Sequence, residues 1–252
     1  FEHYPQDLPW LVSRYFRFFF PKFAKKAKRI LTVSHFSKAD IVRTYGIPPE
    51  KISVIYNGIH DDFEQKSTAE IESTRANYSN GKPYFLFVGS LHPRKNVQRL
   101  VEAFSEFCKR NADIDLVIVG NAMWKQEIFQ LAPETKNRVH FLGHLSTPQL
   151  SQVMGGAFAL SYVPYFEGFG IPLVEAMRCG IPIVSANTTC LPEIAGDAAI
   201  YCDPFSVQGI AEQLHALTED KTLHQQLAAN ALQRSRQFSW DLAAEEVWKE
   251  LQ

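Results

Sequence analysis

The sequence predicts an α/β protein built on a parallel, doubly wound sheet. Two observations carry this. Short apolar runs alternate with segments of helical period along most of the chain, the order that crossovers between parallel strands produce. The run Tyr84-Phe-Leu-Phe-Val88 is apolar without a break, as a strand covered on both faces must be.

The elements follow in order. Residues 29–33 read as a buried strand and 37–45 as a helix. Residues 52–55 form a second strand, closed by the turn pair Asn57-Gly58. Residues 64–82 are polar and are expected to make a surface excursion. After the strand at 84–88, Asn96 is placed to cap a helix whose Val97, Leu100, Val101, Phe104 and Cys108 share one face. Strands are expected at 114–119, 139–142, 158–163, 182–185 and 199–201. Helices are expected at 124–131, 148–154, from Pro172 to near Gly180, around 192–194, and over 206–218, 221–236 and 240–252.

Composition narrows the classes. At 252 residues there is room for one large domain or two modest ones, and a net charge of -1 gives no general attraction to nucleic acid. No apolar run reaches membrane-spanning length. The opening Phe1-Glu2-His3-Tyr4-Pro5 is neither a signal peptide nor an initiator start, so we read the chain as part of a longer one. Cys108, Cys179, Cys190 and Cys202 form no C-x-x-C pair. They are expected to be free buried thiols of a reducing, cytoplasmic compartment.

One stretch stands apart. Residues 14–29 hold seven of the 26 Lys and Arg and no acid, interleaved with Phe16, Phe18, Phe19, Phe20 and Phe23. Such a helix either lies on an anionic membrane surface or packs its phenylalanines inward with solvated lysines outside. The second use is the commoner. Pro21 is expected to interrupt the helix.

The chemistry is concentrated in Glu167-Gly-Phe-Gly-Ile-Pro-Leu-Val-Glu175. Gly168 and Gly170 let backbone N–H groups approach a ligand closely. Pro172 suits the first turn of a helix. The start of that helix aims free N–H groups and a positive dipole end at the preceding loop, where an anion binds. Glu175, one turn in, is an acceptor suited to sugar hydroxyls. A second loop, Gly89-Ser90-Leu91-His92-Pro93-Arg94-Lys95-Asn96, places two cations at the end of another strand. A guanidinium and an ammonium together suit a diphosphate. Each feature alone also has a bland use, the first as a tight turn with a dipole-matched acid, the second as a solvated basic pair. Together in one sheet they suggest a nucleotide-diphosphate sugar site. Metal is not expected. Asp113-Ile114-Asp115 matches D-x-D but enters a strand at the wrong end of the sheet, and no H-E-x-x-H occurs.

These motifs, with Val33-Ser34-x-Phe36-Ser37, Pro49-Glu50-Lys51-Ile52, Tyr56-Asn57-Gly58-Ile59, Phe141-Leu142-Gly143, Gly180-Ile-Pro-Ile-Val184 and Phe238-Ser239-Trp240, resemble the retaining GT-B glycosyltransferases of family 4, group 1. The resemblance covers nearly the whole chain. It implies two Rossmann-like domains facing a cleft, with residues 1–56 the tail of the acceptor domain and linker, 57–236 the donor domain, and 237–252 a helix crossing back. It implies transfer of a hexose, with GDP-mannose the first choice of donor and UDP-glucose the second, to a glycan or lipid-linked acceptor, without a cofactor.

By the same resemblance, Arg94 and Lys95 would neutralise the diphosphate, and Gly89 and Ser90 would lie against it. Phe169, Gly170 and Ile171 would offer backbone N–H groups beside Gly168. Glu167 would contact the hexose and Glu175 the ribose, and Gly143, His144 and Leu145 would flank the base. Ser90 departs from the arginine common in the family. A non-catalytic nucleotide-sugar-binding module is the competing reading. A different GT-B enzyme, such as a glycan phosphorylase or a sugar-nucleotide epimerase, is a third, but no lysine here has the context of the pyridoxal Schiff base a phosphorylase needs.

Overall fold

The computed structural model describes residues 1–110, 113–121, 131–133 and 135–252. Residues 1–56 contain helix α1 (Trp10–Lys26), strand β1 (Ile30–Thr32), helix α2 (His35–Tyr45) and strand β2 (Ile52–Val54), with β1 and β2 paired in parallel. After the linker come α3 (Thr68–Tyr78), β3 (Tyr84–Val88), α4 (Val97–Cys108), β4 (Asp115–Val119), β5 (Val139–Gly143), α5 (Thr147–Gly156), β6 (Ala159–Tyr162), α6 (Ile171–Arg178), β7 (Ile183–Ala186), α7 (Leu191–Ala195), β8 (Ala199–Cys202), α8 (Val207–Glu219) and α9 (Lys221–Ser235). The chain closes with α10 (Trp240–Leu251).

The six strands β3 to β8 make one parallel sheet in the order β5-β4-β3-β6-β7-β8. All residues of β3, β4, β6 and β7 are buried, because helices cover both faces. The chain steps outward from β3 to β5, returns to β6, and steps outward the other way. That reversal opens a crevice between β3 and β6 at their C-terminal ends, where ligands of such sheets sit. Both sequence-singled loops leave from those two ends.

The core follows the apolar pattern. Helix α4 buries Val97, Leu100, Val101, Ala103, Phe104 and Phe107 against the sheet and α8. Among the described residues no cysteine is in a disulfide, and Cys179, Cys190 and Cys202 are buried.

Several expectations are corrected. The polar stretch over 64–82 lies at the surface as expected, but residues 68–78 of it form a helix not expected there, α3. Its signal was the capping box Ser67-x-x-Glu70: the Ser67 N–H donates to Glu70 Oε2 at 2.8 Å, and Ser67 Oγ accepts from the Glu70 N–H. The helix is tied down where Arg75 Nε donates to Gly156 O at 3.0 Å. Asn96 does not cap α4 with its side chain. It takes a left-handed conformation (φ 64°), and its Nδ2 donates to Val163 O and Pro204 O at 2.9 and 2.7 Å. Pro172 is the second residue of α6, after Ile171. Strand and helix ends elsewhere move by one or two residues, as fraying ends do. The expected helix over 124–131 falls almost wholly outside the described residues.

The basic aromatic segment is corrected most. Pro21 sits inside α1 without ending it. The bond it removes would reach the carbonyl of Arg17 on the exposed part of the helix, where water can replace it. Most of the aromatics do not pack inward: Trp10, Tyr15, Phe18, Phe20 and Phe23 are exposed, Phe16 and Phe19 are half-buried, and Ser13 is the buried residue of the helix. No helix among the described residues is long and apolar enough to cross a membrane.

Candidate functional site

The backbone at the strand ends comes first. Gly89 follows β3 at φ 153° and Gly120 follows β4 at φ 143°. A Cβ on Gly120 would lie 1.8 Å from Gly89 O, so only glycine lets these two strand ends pass. Gly120 N donates to Gly143 O at 2.8 Å, which extends the row of strand ends from Gly89 to Gly143.

A 3-10 turn over Pro93–Lys95 then lifts Arg94 and Lys95 over the crevice. Tyr165 N donates to Arg94 O at 3.1 Å, and the two Asn96 bonds lock the turn to Val163 at the end of β6 and to Pro204 beyond β8. His92 fixes it from the other side. Its Nδ1 accepts from the Arg94 N–H, and its Nε2 lies 2.9 Å from Asp7 O, the arrangement of the Nε2–H tautomer.

From β6 the chain enters the loop carrying Glu167. Glu167 is buried, and one of its oxygens, Oε1, takes three donors: Arg94 Nη1 at 2.8 Å, Lys95 Nζ at 2.5 Å and Tyr162 OH at 3.1 Å. Arg94 Nη1 also reaches Phe166 O at 3.2 Å. The two cations and the Gly168–Gly170 turn therefore share one side of the molecule. Burial holds the Lys95 ammonium below its ordinary pKa, and Glu167 pulls it back up.

The glycine turn is pinned by its neighbours. Phe169 is buried in an aromatic cluster with Tyr56 and Phe238, at centroid distances of 6.1 and 5.9 Å. Gly168 O accepts from Ser34 Oγ at 2.7 Å and Ser37 Oγ at 3.2 Å. Gly170, at φ 91°, opens α6 without a side-chain cap, so the first N–H groups of that helix face the loop.

Glu175 differs from Glu167. No described residue donates to its carboxyl, and burial alone raises its pKa to about 7. His144 is exposed, and Leu145 packs on the core. No contact among the described residues ties either to Arg94, Lys95 or Glu167. Ser90 is half-buried beside Gly89.

Sequence reasoning missed the residues that join residues 1–56 to this site. Glu193 of α7 accepts from the His35 and Phe36 N–H groups at the start of α2, at 2.7 and 2.9 Å, and from Tyr56 OH at 3.0 Å. Tyr165 OH donates to Asp7 at 2.7 Å, and the rings of Tyr4 and His3 pack on Tyr165 and Phe166. A cavity of about 270 Å³ lies between Phe1–Leu8 and the residues His92, Arg94, Glu167 and Gly168. Of these partners, Ser34 and Ser37 had a local signal in their i, i+3 spacing.

Asp115, the last acid of the D-x-D match, is buried at the opposite end of the sheet. It lies 2.8 Å from His140 Nε2, with Lys82 and Arg138 at 3.7 and 3.6 Å. Its carboxylate serves that end of the sheet.

With this geometry in hand, likeness to known proteins is decisive. A model described as glycosyl transferases group 1 matches residues 69–234, and one described as Glycosyltransferase Family 4 matches residues 1–63. The chain belongs to the group 1 glycosyl transferases. Among relatives, O-antigen chain mannosyltransferase B of Escherichia coli is 30% identical over 245 residues, which is 95% of this chain and 63% of that protein. O-antigen chain mannosyltransferase RfbU of Salmonella typhimurium is 32% identical over 206 residues, 80% of this chain and 54% of that protein. Anabaena Alr3699/HepE, solved with UDP and glucose, superposes with a TM-score of 0.82 at 22% identity, covering 91% of this chain and 64% of that one. WaaG, a glycosyltransferase involved in lipopolysaccharide biosynthesis, gives 0.74 at 24% identity, with coverages of 86% and 61%. The fold of this group 1 chain is that of the GT-B glycosyltransferases. The chain spans less than two thirds of the length of these relatives.

Proposed function

We propose that this chain is the donor-binding part of a glycosyltransferase that moves a hexose from a nucleotide-diphosphate sugar to a glycan or lipid-linked acceptor, with retention and without a metal ion. The observation that carries the reading is the meeting of Arg94, Lys95 and Glu167 in the crevice between β3 and β6. GDP-mannose is the first choice of donor, supported by the mannosyltransferase relatives, and UDP-glucose the second.

The roles follow from charge. Breaking the sugar–diphosphate bond builds negative charge on the leaving phosphate. Lys95 has a third N–H beyond those aimed at Tyr162 and Glu167, and Arg94 has donors beyond Nη1. With the N–H groups of Phe169, Gly170 and Ile171, they stabilise that charge from fixed positions, which is where catalysis of this kind gains most. The donors on Glu167 all meet Oε1, so Oε2 is the oxygen we assign to the hexose. Glu175 accepts from the ribose, and Gly143, His144 and Leu145 flank the base. In this reading residues 1–56 close the acceptor side, 57–236 hold the donor, and 237–252 return. Glu250 of α10 supports that division by bonding Ser53 at 2.6 Å and Arg29 at 2.7 Å.

The test is titration with GDP-mannose and UDP-glucose. Lys95→Ala and Glu175→Ala are each expected to weaken the preferred donor at least tenfold, on the order of one lost charge-assisted hydrogen bond. Undiminished binding in both variants would remove the site.

We also infer that α1 lies on an anionic membrane surface. Its exposed aromatics and the seven cations of residues 14–29 support this. Sedimentation with vesicles containing phosphatidylglycerol should carry the protein down and pure phosphatidylcholine should not; equal behaviour in both would refute it.

A further inference from the structure

We propose that Tyr162 is a positioning residue of this site: its phenol oxygen sits between Lys95 and Glu167 and fixes each relative to the other. The inference rests on the diphosphate-sugar reading above and goes beyond the residues that reading uses.

The bonding directions are set by chemistry. A lysine ammonium can only donate and an ionised carboxylate can only accept, whereas a phenol does both. Lys95 Nζ therefore donates to Tyr162 OH at 2.7 Å, and Tyr162 OH donates to Glu167 Oε1 at 3.1 Å. The hydroxyl closes a ring with the direct Lys95–Glu167 contact at 2.5 Å.

The residue's place makes the hydroxyl informative. Tyr162 is the last residue of β6, fully buried, with its ring stacked on Phe87 at 6.2 Å. A phenylalanine would fill that volume without bringing a polar group that must be satisfied. Both partners of the hydroxyl are residues of the site, so its contribution falls on the site and not on the sheet. By holding one Lys95 proton and one Glu167 lone pair, it leaves the remaining N–H of Lys95 in a fixed direction for a phosphate oxygen.

The charge on Lys95 offers a readout that packing does not move. The groups facing this cluster are Arg94, Glu167 and Cys190. Removing an acceptor from a buried ammonium disfavours its charged form. Loss of the hydroxyl therefore brings deprotonation of Lys95, and with it loss of diphosphate binding, to lower pH.

The experiment compares wild type, Tyr162→Phe and Lys95→Ala by titration with GDP and UDP across pH 6 to 10, alongside thermal midpoints. For Tyr162→Phe we expect about tenfold weaker binding, an alkaline limb moved down by about one pH unit, and a near-wild-type midpoint. Unchanged affinity and limb would overturn the proposal, as would a collapsed midpoint with the limb unmoved. Should Tyr162→Phe not fold, 3-fluorotyrosine at position 162 keeps the ring and weakens the oxygen as an acceptor. A smaller downward shift of the limb is then expected, and none would overturn the proposal. If wild type binds neither nucleotide, the diphosphate reading fails. If Lys95→Ala weakens binding and Tyr162→Phe leaves it unchanged, only the role of Tyr162 fails.

Discussion

Residues 57–236 and residues 1–56 use the same unit, parallel strands joined by helices, and bury it to different depths. In the six-stranded sheet every residue of β3 is buried. In the two-stranded one Leu31 of β1 is 42% exposed, and α1 leaves Trp10 68% exposed. The large sheet is held by apolar burial. The smaller part meets it through the rings of Tyr4, Phe36 and Tyr56 and through directed polar bonds, Ser34 and Ser37 on Gly168 and Glu193 on the start of α2, while Glu250 of α10 ties Ser53 and Arg29 to the closing helix. The buried sheet thus carries Arg94, Lys95 and Glu167, and Phe1, His3, Tyr4, Asp7 and Leu8 line the cavity beside Arg94 and Glu167.

Three measurements would break or sharpen that contrast. The largest effect belongs to the sheet. Gly120→Ala drives a Cβ toward Gly89 O, at 1.8 Å, from a φ of 143°. It should cost about 3 kcal/mol and lower the thermal midpoint by about 6–12 °C; a shift under a degree would mean that the strand ends yield. The directed polar bonds come next. Glu193→Ala leaves the N–H groups of His35 and Phe36 without their acceptor, costing roughly 2 kcal/mol. Hydrogen exchange should quicken in α2 and not in β3; equal change in both would show that the two parts unfold as one.

The smallest effect is the pH response of Glu175. Its carboxyl is held protonated up to about 7 by burial. The unfolded group ionises lower, so this residue favours the folded state as pH falls through 7 toward its ordinary value, and that gain is lost above 7. In the proposed role Glu175 accepts from the ribose hydroxyls as the ionised carboxylate. Donor affinity should rise roughly tenfold between pH 6 and 8 and then level off. Glu175→Gln should flatten the curve, and a curve of unchanged slope would separate Glu175 from the donor.

Much of the site was legible in the chain because its parts are local. Gly168, Gly170 and Pro172 act through backbone conformation within a few residues, and Arg94-Lys95 and Glu167 lie in loops whose place follows from strand order. What stayed hidden depends on partners far apart in sequence. The paired use of Arg94 and Lys95 on one Glu167 oxygen joins loops 73 residues apart. The Glu193 contact with α2 spans 158. The exposed face of α1 misled the reading because helical period reports which residues share a face, not what covers it.

Sequence by itself determined the class of sheet and the two loops, because strand–helix alternation and glycine and proline chemistry act over short distances, and its motifs carried the resemblance to the family. Tertiary structure alone decided that the cations turn toward Glu167, that Tyr162 stands between Lys95 and that carboxylate, and that Glu193 bonds to α2. Hydrogen bonds need atoms within about 3 Å, and only the folded sheet brings these strand ends that close.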